Sequence, residues 1–334
     1  MHLYKNKSIL ITGGTGSFGK NFISHLLKEK YPFSRIVIFS RDEFKQSELA
    51  KVLDPKKNGN LRFFLGDVRD KDRLLHAFRD LDYVVHAAAL KQVPAAEYNP
   101  IEFVKTNVLG SQNIIEAALY NNVRKVLALS TDKAVAPVNL YGATKLCADK
   151  LFIAANNIAG KNKTNFSVIR YGNVMGSRGS VLPEFLKIKY KANFNITDVR
   201  MTRFNILMDE AIKLVDWTLK NSLGGEIFVP KLKSFNIVDL ATSINEKAKF
   251  NITGIRPGEK LHEELITYLE SFNVFDFNSF YSIIPKAIQY KYGKKLLKKK
   301  IKKPFSYNSK DNDFLSIKEI KKILTKKNLS GVIS

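Results

Sequence analysis

Short runs of aliphatic and β-branched residues alternate with longer amphipathic stretches through the first half of the chain. Ser8–Thr12, Arg35–Phe39, Arg62–Leu65, Tyr83–Ala87, Lys125–Leu129 and Phe166–Arg170 are compact apolar runs with strand character. Helical spacing of apolar positions fills the intervals near Phe18–Lys30, Glu43–Val52, Arg69–Arg79, Pro100–Tyr120 and Tyr141–Ala159. This alternation predicts right-handed βαβ units and an α/β fold: a Rossmann-type, doubly wound parallel sheet with helices on both faces. Ligands on such sheets sit beyond the carboxyl ends of the strands. After about Gly172 the rhythm breaks, and Gly176, Gly179, Gly224, Gly225, Pro230, Gly254, Pro257 and Gly258 punctuate shorter elements. We therefore expect residues 1–172 to form the Rossmann domain and 173–334 mainly a smaller C-terminal lobe, with some segments returning to the first domain.

Composition narrows the class. The 334 residues are 45% hydrophobic and 26% charged, a soluble globular balance. No apolar run is long enough to span a bilayer, so no transmembrane segment is expected. The segment Met1–Ser8 leads straight into a strand, which argues against a secretory signal. Cys147 stands alone, which excludes an internal disulfide, fits a reducing, cytoplasmic setting and suggests helix packing. His86 and His262 lack partners at metal-ligand spacing, so no metal site is expected.

The formal net charge is +24, which attracts anions. A nucleic acid, an anionic small molecule such as a sugar nucleotide, and lysine drift in an A/T-rich genome would each account for it. No aromatic platform interleaved with basic residues supports nucleic-acid binding. The segment Lys286–Lys303 holds nine lysines and no acid. It reads as a solvated surface segment, with a membrane-surface or polyanion contact as the alternative.

The first strand runs directly into Thr12-Gly-Gly-Thr-Gly-Ser-Phe-Gly19, which opens a helix. Gly13, Gly16 and Gly19 have the spacing of a dinucleotide loop, with Thr15, Ser17 and Phe18 between them. The glycines allow a tight turn, close approach of a pyrophosphate and helix–sheet packing, and the helix N-terminus supplies N–H donors. The second strand ends in Ser40-Arg41, with Lys45 four residues on. A hydroxyl and two cations suit a ribose 2′-phosphate, so NADP is the expected cofactor; Asp42 complicates this but lies past the strand end. Asp67 and Val68, after the third strand, are placed to meet adenine. His86-Ala-Ala-Ala89 offers a small-residue edge, with Ala87 and Ala88 where a cofactor would cross the sheet.

Tyr141-Gly-Ala-Thr-Lys145 puts a phenol and an ammonium on one helix face. A nearby cation favours the phenolate, and such a tyrosine shuttles a hydroxyl proton while hydride moves to or from nicotinamide. Asn107 is placed to brace this helix or the cofactor.

With these motifs the chain resembles the extended short-chain dehydrogenase/reductases, which act largely on nucleotide-sugars. The resemblance makes Tyr141 the active-site tyrosine and gives Lys145 the nicotinamide ribose. Ser130-Thr-Asp-Lys-Ala134 sharpens it. Family 4-epimerases place small hydroxyl residues here, whereas the 4,6-dehydratases carry a carboxylate and a second acid/base group. Thr131-Asp132-Lys133 resembles the UDP-N-acetylglucosamine 4,6-dehydratases, in particular the inverting type that begins pseudaminic acid synthesis for flagellin or surface glycans. Further matching segments are Ser40–Gln46, Ala87–Pro94, Arg170–Val174, Gly176–Ser180, Arg200–Phe204 and Gly254–Lys260.

The resemblance implies a lyase that converts UDP-N-acetylglucosamine to a UDP-2-acetamido-2,6-dideoxy-L-arabino-hex-4-ulose by internal C4-to-C6 hydride transfer through NADP. Tyr141 would take the O4 proton and Thr131 would orient O4. Lys133, if neutral, would abstract the C5 proton, and Asp132, if protonated, would protonate the departing C6 hydroxyl. The resemblance places Lys91, Asn173, Arg178, Arg203, Arg256 and Glu259 near substrate and brings Lys91 and Val174 to the cofactor. It also implies a homo-oligomer. The alternatives are another sugar-nucleotide enzyme, such as a C4 or C5 epimerase, and an NADP-sensing protein without catalysis. A sensor has no need of Tyr141, Lys145, Asp132 and Lys133 together.

Overall fold

The architecture comes from a computed structural model that describes residues 4–160, 164–177, 179–190 and 193–325. Six parallel strands come from the first half of the chain: β1 (Lys7–Thr12), β2 (Phe33–Ser40), β3 (Leu61–Leu65), β4 (Tyr83–His86), β5 (Lys125–Thr131) and β6 (Asn165–Tyr171). Three more strands follow from the second half: β7 (Ile227–Pro230), β8 (Val274–Asp276) and β9 (Phe280–Ile283). The sheet order is β8-β9-β7-β6-β5-β4-β1-β2-β3. β7 pairs parallel with β6, and β8 and β9 close the edge antiparallel.

Strand side chains alternate between two cores. Leu10, Val37, Val84, Val126 and Val168 face one side with Leu74, Ile114 and Phe152. Ile9, Ile11, Ile38, Val85, Leu127 and Ile169 face the other with Phe22, Leu49 and Val215. Both faces are apolar because both are covered by helices, which explains why these strands read as apolar runs.

The flanking helices include α1 (Ser17–Lys28), α2 (Glu43–Leu53), α3 (Lys71–Ala77), α4 (Gly110–Tyr120) and α5 (Leu140–Ile158). Asp42 caps α2 and Asp70 caps α3, each accepting from a first-turn N–H, so the third helix begins two residues later than the sequence pattern suggests. The expected continuous helix over Pro100–Tyr120 is interrupted. A π-helical turn occupies Val104–Leu109 and carries Asn107. Cys147 is exposed on α5, so the expected packing role is corrected.

The remaining segments build a lobe around Leu182, Phe185, Phe194, Phe235 and Leu240. Its small sheets pair Thr202–Ile206 with Ser234–Asn236 and Asn173–Val174, and Asn193–Ile196 with Lys249–Ile252. The lysine-rich segment forms two 3-10 turns, anchored by buried Leu296 against Phe275 and Ile284. No helix among the described residues is long and apolar enough to cross a membrane.

Candidate active site

A cavity of about 890 Å³ lies beyond the carboxyl ends of β1 to β4. Gly13, Thr15, Gly16, Ser17, Ser40, Arg41, Lys45, Asp67, Val68, Ala87 and Ala88 all line it. The loop geometry fits a dinucleotide. Gly13 has φ of +63°, and a Cβ there would lie 3.0 Å from the Ala88 backbone. A Cβ at Gly19 would lie 2.5 Å from Gly14 Cα, so only glycine lets α1 sit on the loop. Gly16 caps α1 without any side-chain acceptor, leaving first-turn N–H groups for a phosphate. Phe18 offers the cavity no side chain: its ring stacks on Phe22. Thr12 Oγ1 ties the crossing edge together by accepting from the Ala87 and Ala88 N–H groups at 3.1 and 3.2 Å. Its hydroxyl therefore donates to His86 Nδ1 at 2.8 Å.

At the end of β2, buried Gln46 holds the Ser40 hydroxyl at 3.0 Å. Asp42 is occupied as the α2 cap and pairs with the Lys45 ammonium. Arg41 stays half exposed, 3.8 Å from Asp67. Asp67 in turn bonds Arg69 at 2.8 Å.

Asp132–Ala134 forms a 3-10 turn directly after β5, with Thr131 as its cap. The turn lies against the start of α5. A Cβ at Gly142 would sit 2.2 Å from the Lys133 carbonyl oxygen, so glycine beside the tyrosine makes this approach possible. Asn139 caps α5 by accepting from Gly142 N–H at 2.7 Å, and its amide donates to the Gly258 carbonyl at 2.7 Å. The Gly254–Lys260 loop is thereby docked on the start of α5. Lys260 reinforces it by donating to the Val135 carbonyl.

Within the turn, Lys133 Nζ lies 3.1 Å from Asp132 Oδ1 and 3.4 Å from Asn173 Oδ1. It also lies 3.1 Å from Glu263 Oε1, a carboxylate that motif reading did not single out. Asp132 and Glu263 are both buried, and Asp132 Oδ2 and Glu263 Oε2 have no hydrogen-bond partner. Burial raises the Asp132 pKa, offset in part by Lys133. Burial opposes charge on Lys133, yet the two carboxylates hold its pKa well above the usual lysine value. Flanked by two carboxylates, Lys133 is held toward its ammonium form in this arrangement, whereas abstraction of a C5 proton asks for the neutral amine.

Tyr141 is buried, which pushes its pKa up to about 12, and Lys133 and the Thr131 hydroxyl act to lower it. The expected role of Lys145 as the cation that lowers the phenol is corrected. Lys145 Nζ donates to the Leu129 carbonyl at 2.8 Å, with Asp149 as its charge partner, while burial lowers its pKa. Asn107 braces the helix, donating to Thr144 Oγ1 at 3.0 Å and bonding both peptide groups of Leu90 at 2.9 Å.

The other expected substrate residues divide. Asn173 reaches Lys133, as above. Arg203 is buried, and its guanidinium donates to the Thr202, Leu261 and Lys260 carbonyls at 2.7 to 3.0 Å. It faces Glu259 and Glu263 at 3.6 and 3.8 Å, so here it supports the loop and presents no open fork to a diphosphate. Arg256 is exposed and pairs with Glu259 at 3.1 Å. Lys91 is exposed after β4, and Val174 lies half-buried on a short strand. Arg178 lies outside the described residues. Among the described residues no group of side chains has the makeup of a metal site.

A parallel sheet with a glycine loop at its first crossover, and a Tyr–Lys helix beside an acid/base turn, defines an extended short-chain dehydrogenase/reductase. Residues 9–285 match the family model described as polysaccharide biosynthesis protein, and the chain belongs to that family. It is 49% identical to a UDP-N-acetylglucosamine 4,6-dehydratase (inverting) of Campylobacter jejuni, over 96% of this chain and 98% of that one. A Rickettsia bellii protein named UDP-glucose 4-epimerase is 40% identical, over 96% of each chain. The crystal structure of Pen from Bacillus thuringiensis superposes with a TM-score of 0.89 at 37% identity, over 98% of this chain and 99% of that chain.

Proposed function

We propose that the cavity holds NADP and that the turn beside it runs an internal redox cycle on a UDP-linked hexose. The chain is an inverting UDP-N-acetylglucosamine 4,6-dehydratase, a hydro-lyase. The observation that carries this reading is the Asp132–Lys133 pair, 3.1 Å apart on a turn packed against Gly142, the residue after Tyr141. A 4-epimerase needs only the tyrosine and a small hydroxyl residue. An added carboxyl and amine are what elimination across C5 and C6 requires.

When bound, the dinucleotide would accept a hydride from C4 and return it to C6, and a proton taken up at C5 on the opposite face would balance that return and invert the centre. Thr131 and Tyr141 then handle the O4 proton, with the Lys133 charge favouring phenolate as the proton leaves. The resulting C4 ketone acidifies C5. A proton passed from Lys133 to Asp132 makes both catalysts at once: a neutral amine to take the C5 proton, and a carboxylic acid to protonate the C6 hydroxyl as it leaves. The elimination returns Lys133 to ammonium and Asp132 to carboxylate, so the pair ends as it began. Lys145 ties α5 to β5 through the Leu129 carbonyl, and Asn107 ties α5 to the Leu90 peptide after β4.

Support for NADP comes from the end of β2. Ser40 and Arg41 line the cavity, and Asp42, the nearest acid, is taken by the α2 cap and Lys45. The residues that resemble the inverting dehydratases support a cytoplasmic homo-oligomer at the start of pseudaminic acid synthesis. Incubation with UDP-N-acetylglucosamine and NADP, followed by NMR, tests the activity. Loss of water with a new C6 methyl is expected; an unchanged mass with an altered stereocentre would replace the reading with epimerisation. Lys133→Ala is expected to bind NADP normally and to lose solvent exchange at C5.

A further inference from the structure

The acid/base pair has a third charged member that comes from the opposite lobe. Glu263 is 2% exposed, and its Oε1 lies 3.1 Å from Lys133 Nζ, the same distance as Asp132 Oδ1. Its backbone N–H is fixed by the Ser309 hydroxyl at 2.9 Å, which in turn meets Thr202 at 2.8 Å. The two carboxylates are not equivalent. Glu263 also faces Arg203 at 3.8 Å and feels Lys260, whereas the one ion pair of Asp132 among the described residues is with Lys133, Lys260 adding a further favourable charge.

We propose that Glu263 is the positioning residue of the dehydration step, a permanent carboxylate that holds Lys133 between two acceptors and makes Asp132, not itself, the one that receives the lysine proton. This rests on the dehydratase reading and deepens it. The proton balance of the elimination is complete. Lys133 gives one proton to Asp132, takes one from C5 as the electron pair moves into the enolate, and Asp132 gives its proton to the departing C6 hydroxyl, which leaves as water. Throughout, Glu263 remains ionised because Arg203 and Lys260 stabilise its charge, and it stabilises the ammonium that forms as the C5 proton arrives. Burial alone would raise the Glu263 pKa, but Lys133 first, then Arg203 and Lys260, bring it below the ordinary value.

The groups that set the charge here are Asp132 and Lys133 on the turn, Tyr141 on α5, Arg203 on its strand, Glu259 and Lys260 on the docked loop, and Glu263 and Glu264 just beyond it. The active form carries one proton shared by Asp132 and Lys133. Activity falls at low pH when the pair takes a second proton and at high pH when it loses the shared one. Removing the Glu263 charge disfavours protons on both, so both limbs of the profile move to lower pH.

Glu263→Gln keeps the shape and removes the charge; Glu263→Asp keeps the charge. For Glu263→Gln the whole bell in kcat against pH is expected to move acidward by about one unit or more, with C5 deuterium exchange slowed at least tenfold at neutral pH. Glu263→Asp is expected to keep the wild-type midpoints at a reduced height. A Glu263→Gln profile that is merely lower, with unmoved midpoints, would overturn the proposal and leave Glu263 a packing residue. Direct titration of the 15N-labelled Lys133 ammonium, assigned with Lys133→Ala, reads the same effect without turnover. A lower midpoint in Glu263→Gln supports the proposal, and an unchanged one overturns it. A wild-type protein that only epimerises would refute the dehydratase reading, while the ammonium titration would still judge the charge relation.

Discussion

Replacing Gly142 with alanine sets helix propensity against site geometry. Alanine is favoured over glycine in a helix interior by about 1 kcal/mol, an upper bound for this first-turn position, so propensity alone predicts a slightly more stable protein. The structure predicts a catalytic defect instead. The new Cβ would sit 2.2 Å from the Lys133 carbonyl oxygen and 3.0 Å from Pro137 Cβ. Neither neighbour is a flexible side-chain end, so the turn must move off α5 by roughly 1 Å, and a misplacement of that size costs on the order of 100-fold in rate. The overpacking itself costs about 1–3 kcal/mol, which largely cancels the propensity gain. Gly142 is not among the residues that line the dinucleotide cavity, so cofactor affinity should be unchanged. The assay is kcat by NMR product formation beside a fluorescence titration of NADP. Turnover within about threefold of the parent would refute the claim that this close approach holds the acid/base turn in place.

Three further outcomes follow from buried charge and from the cofactor rim. Arg170 is fully buried, 2.9 Å from Asp149 and 2.8 Å from Glu270. Arg170→Met breaks the buried ion pair of Asp149, leaving Lys145 as its remaining charge partner, and should cost about 3–5 kcal/mol, read from the denaturant midpoint; a midpoint shift worth less than about 1 kcal/mol would contradict it. His86 is buried, and burial first, then Lys145, lowers its pKa to about 3. The unfolded chain therefore binds the extra proton below about pH 6.5, and the His86 contribution to stability, complete above that value, falls by about 1.4 kcal/mol per unit down to pH 3. His86→Gln should flatten the slope of stability against pH in that window; an equally steep slope would count against it. At the cavity rim, Arg41→Ala is expected to weaken NADP binding at least tenfold while leaving NAD affinity nearly unchanged, measured by calorimetry, and equal losses for both cofactors would sink the 2′-phosphate assignment.

The sheet was legible because its strands are buried on both faces. Runs such as Ile9–Ile11 and Val126–Leu129 leave no polar alternation to confuse with a surface strand. The dinucleotide loop was legible because its requirement is local: strand, glycines and helix are contiguous. The π turn at Val104–Leu109 was not, since apolar spacing over Pro100–Tyr120 suits one unbroken helix. What marks the turn is Asn107, whose amide bonds the Leu90 peptide 17 residues away. Spacing put Tyr141 and Lys145 on one helix face but did not say which way each side chain turns, and Lys145 turns to the Leu129 carbonyl.

Charge was the least legible property. Asp132 and Lys133 are neighbours in sequence, so their chemistry could be read as a pair. Their protonation depends on Glu263, Arg203 and Lys260, which come from strands and loops far along the chain. Resemblance placed Arg203 at the substrate, whereas the fold surrounds its guanidinium with three carbonyls and two carboxylates. The residue types in Thr131–Lys145 therefore state which bonds are made and broken. In the proposed mechanism the second lobe sets which of those groups carries a proton, through Glu263 and Arg203 and through Lys260 on the loop docked on the cap of α5 by Asn139 and Gly258. A change in that docking would alter the charge of Lys133 without touching the turn that bears it.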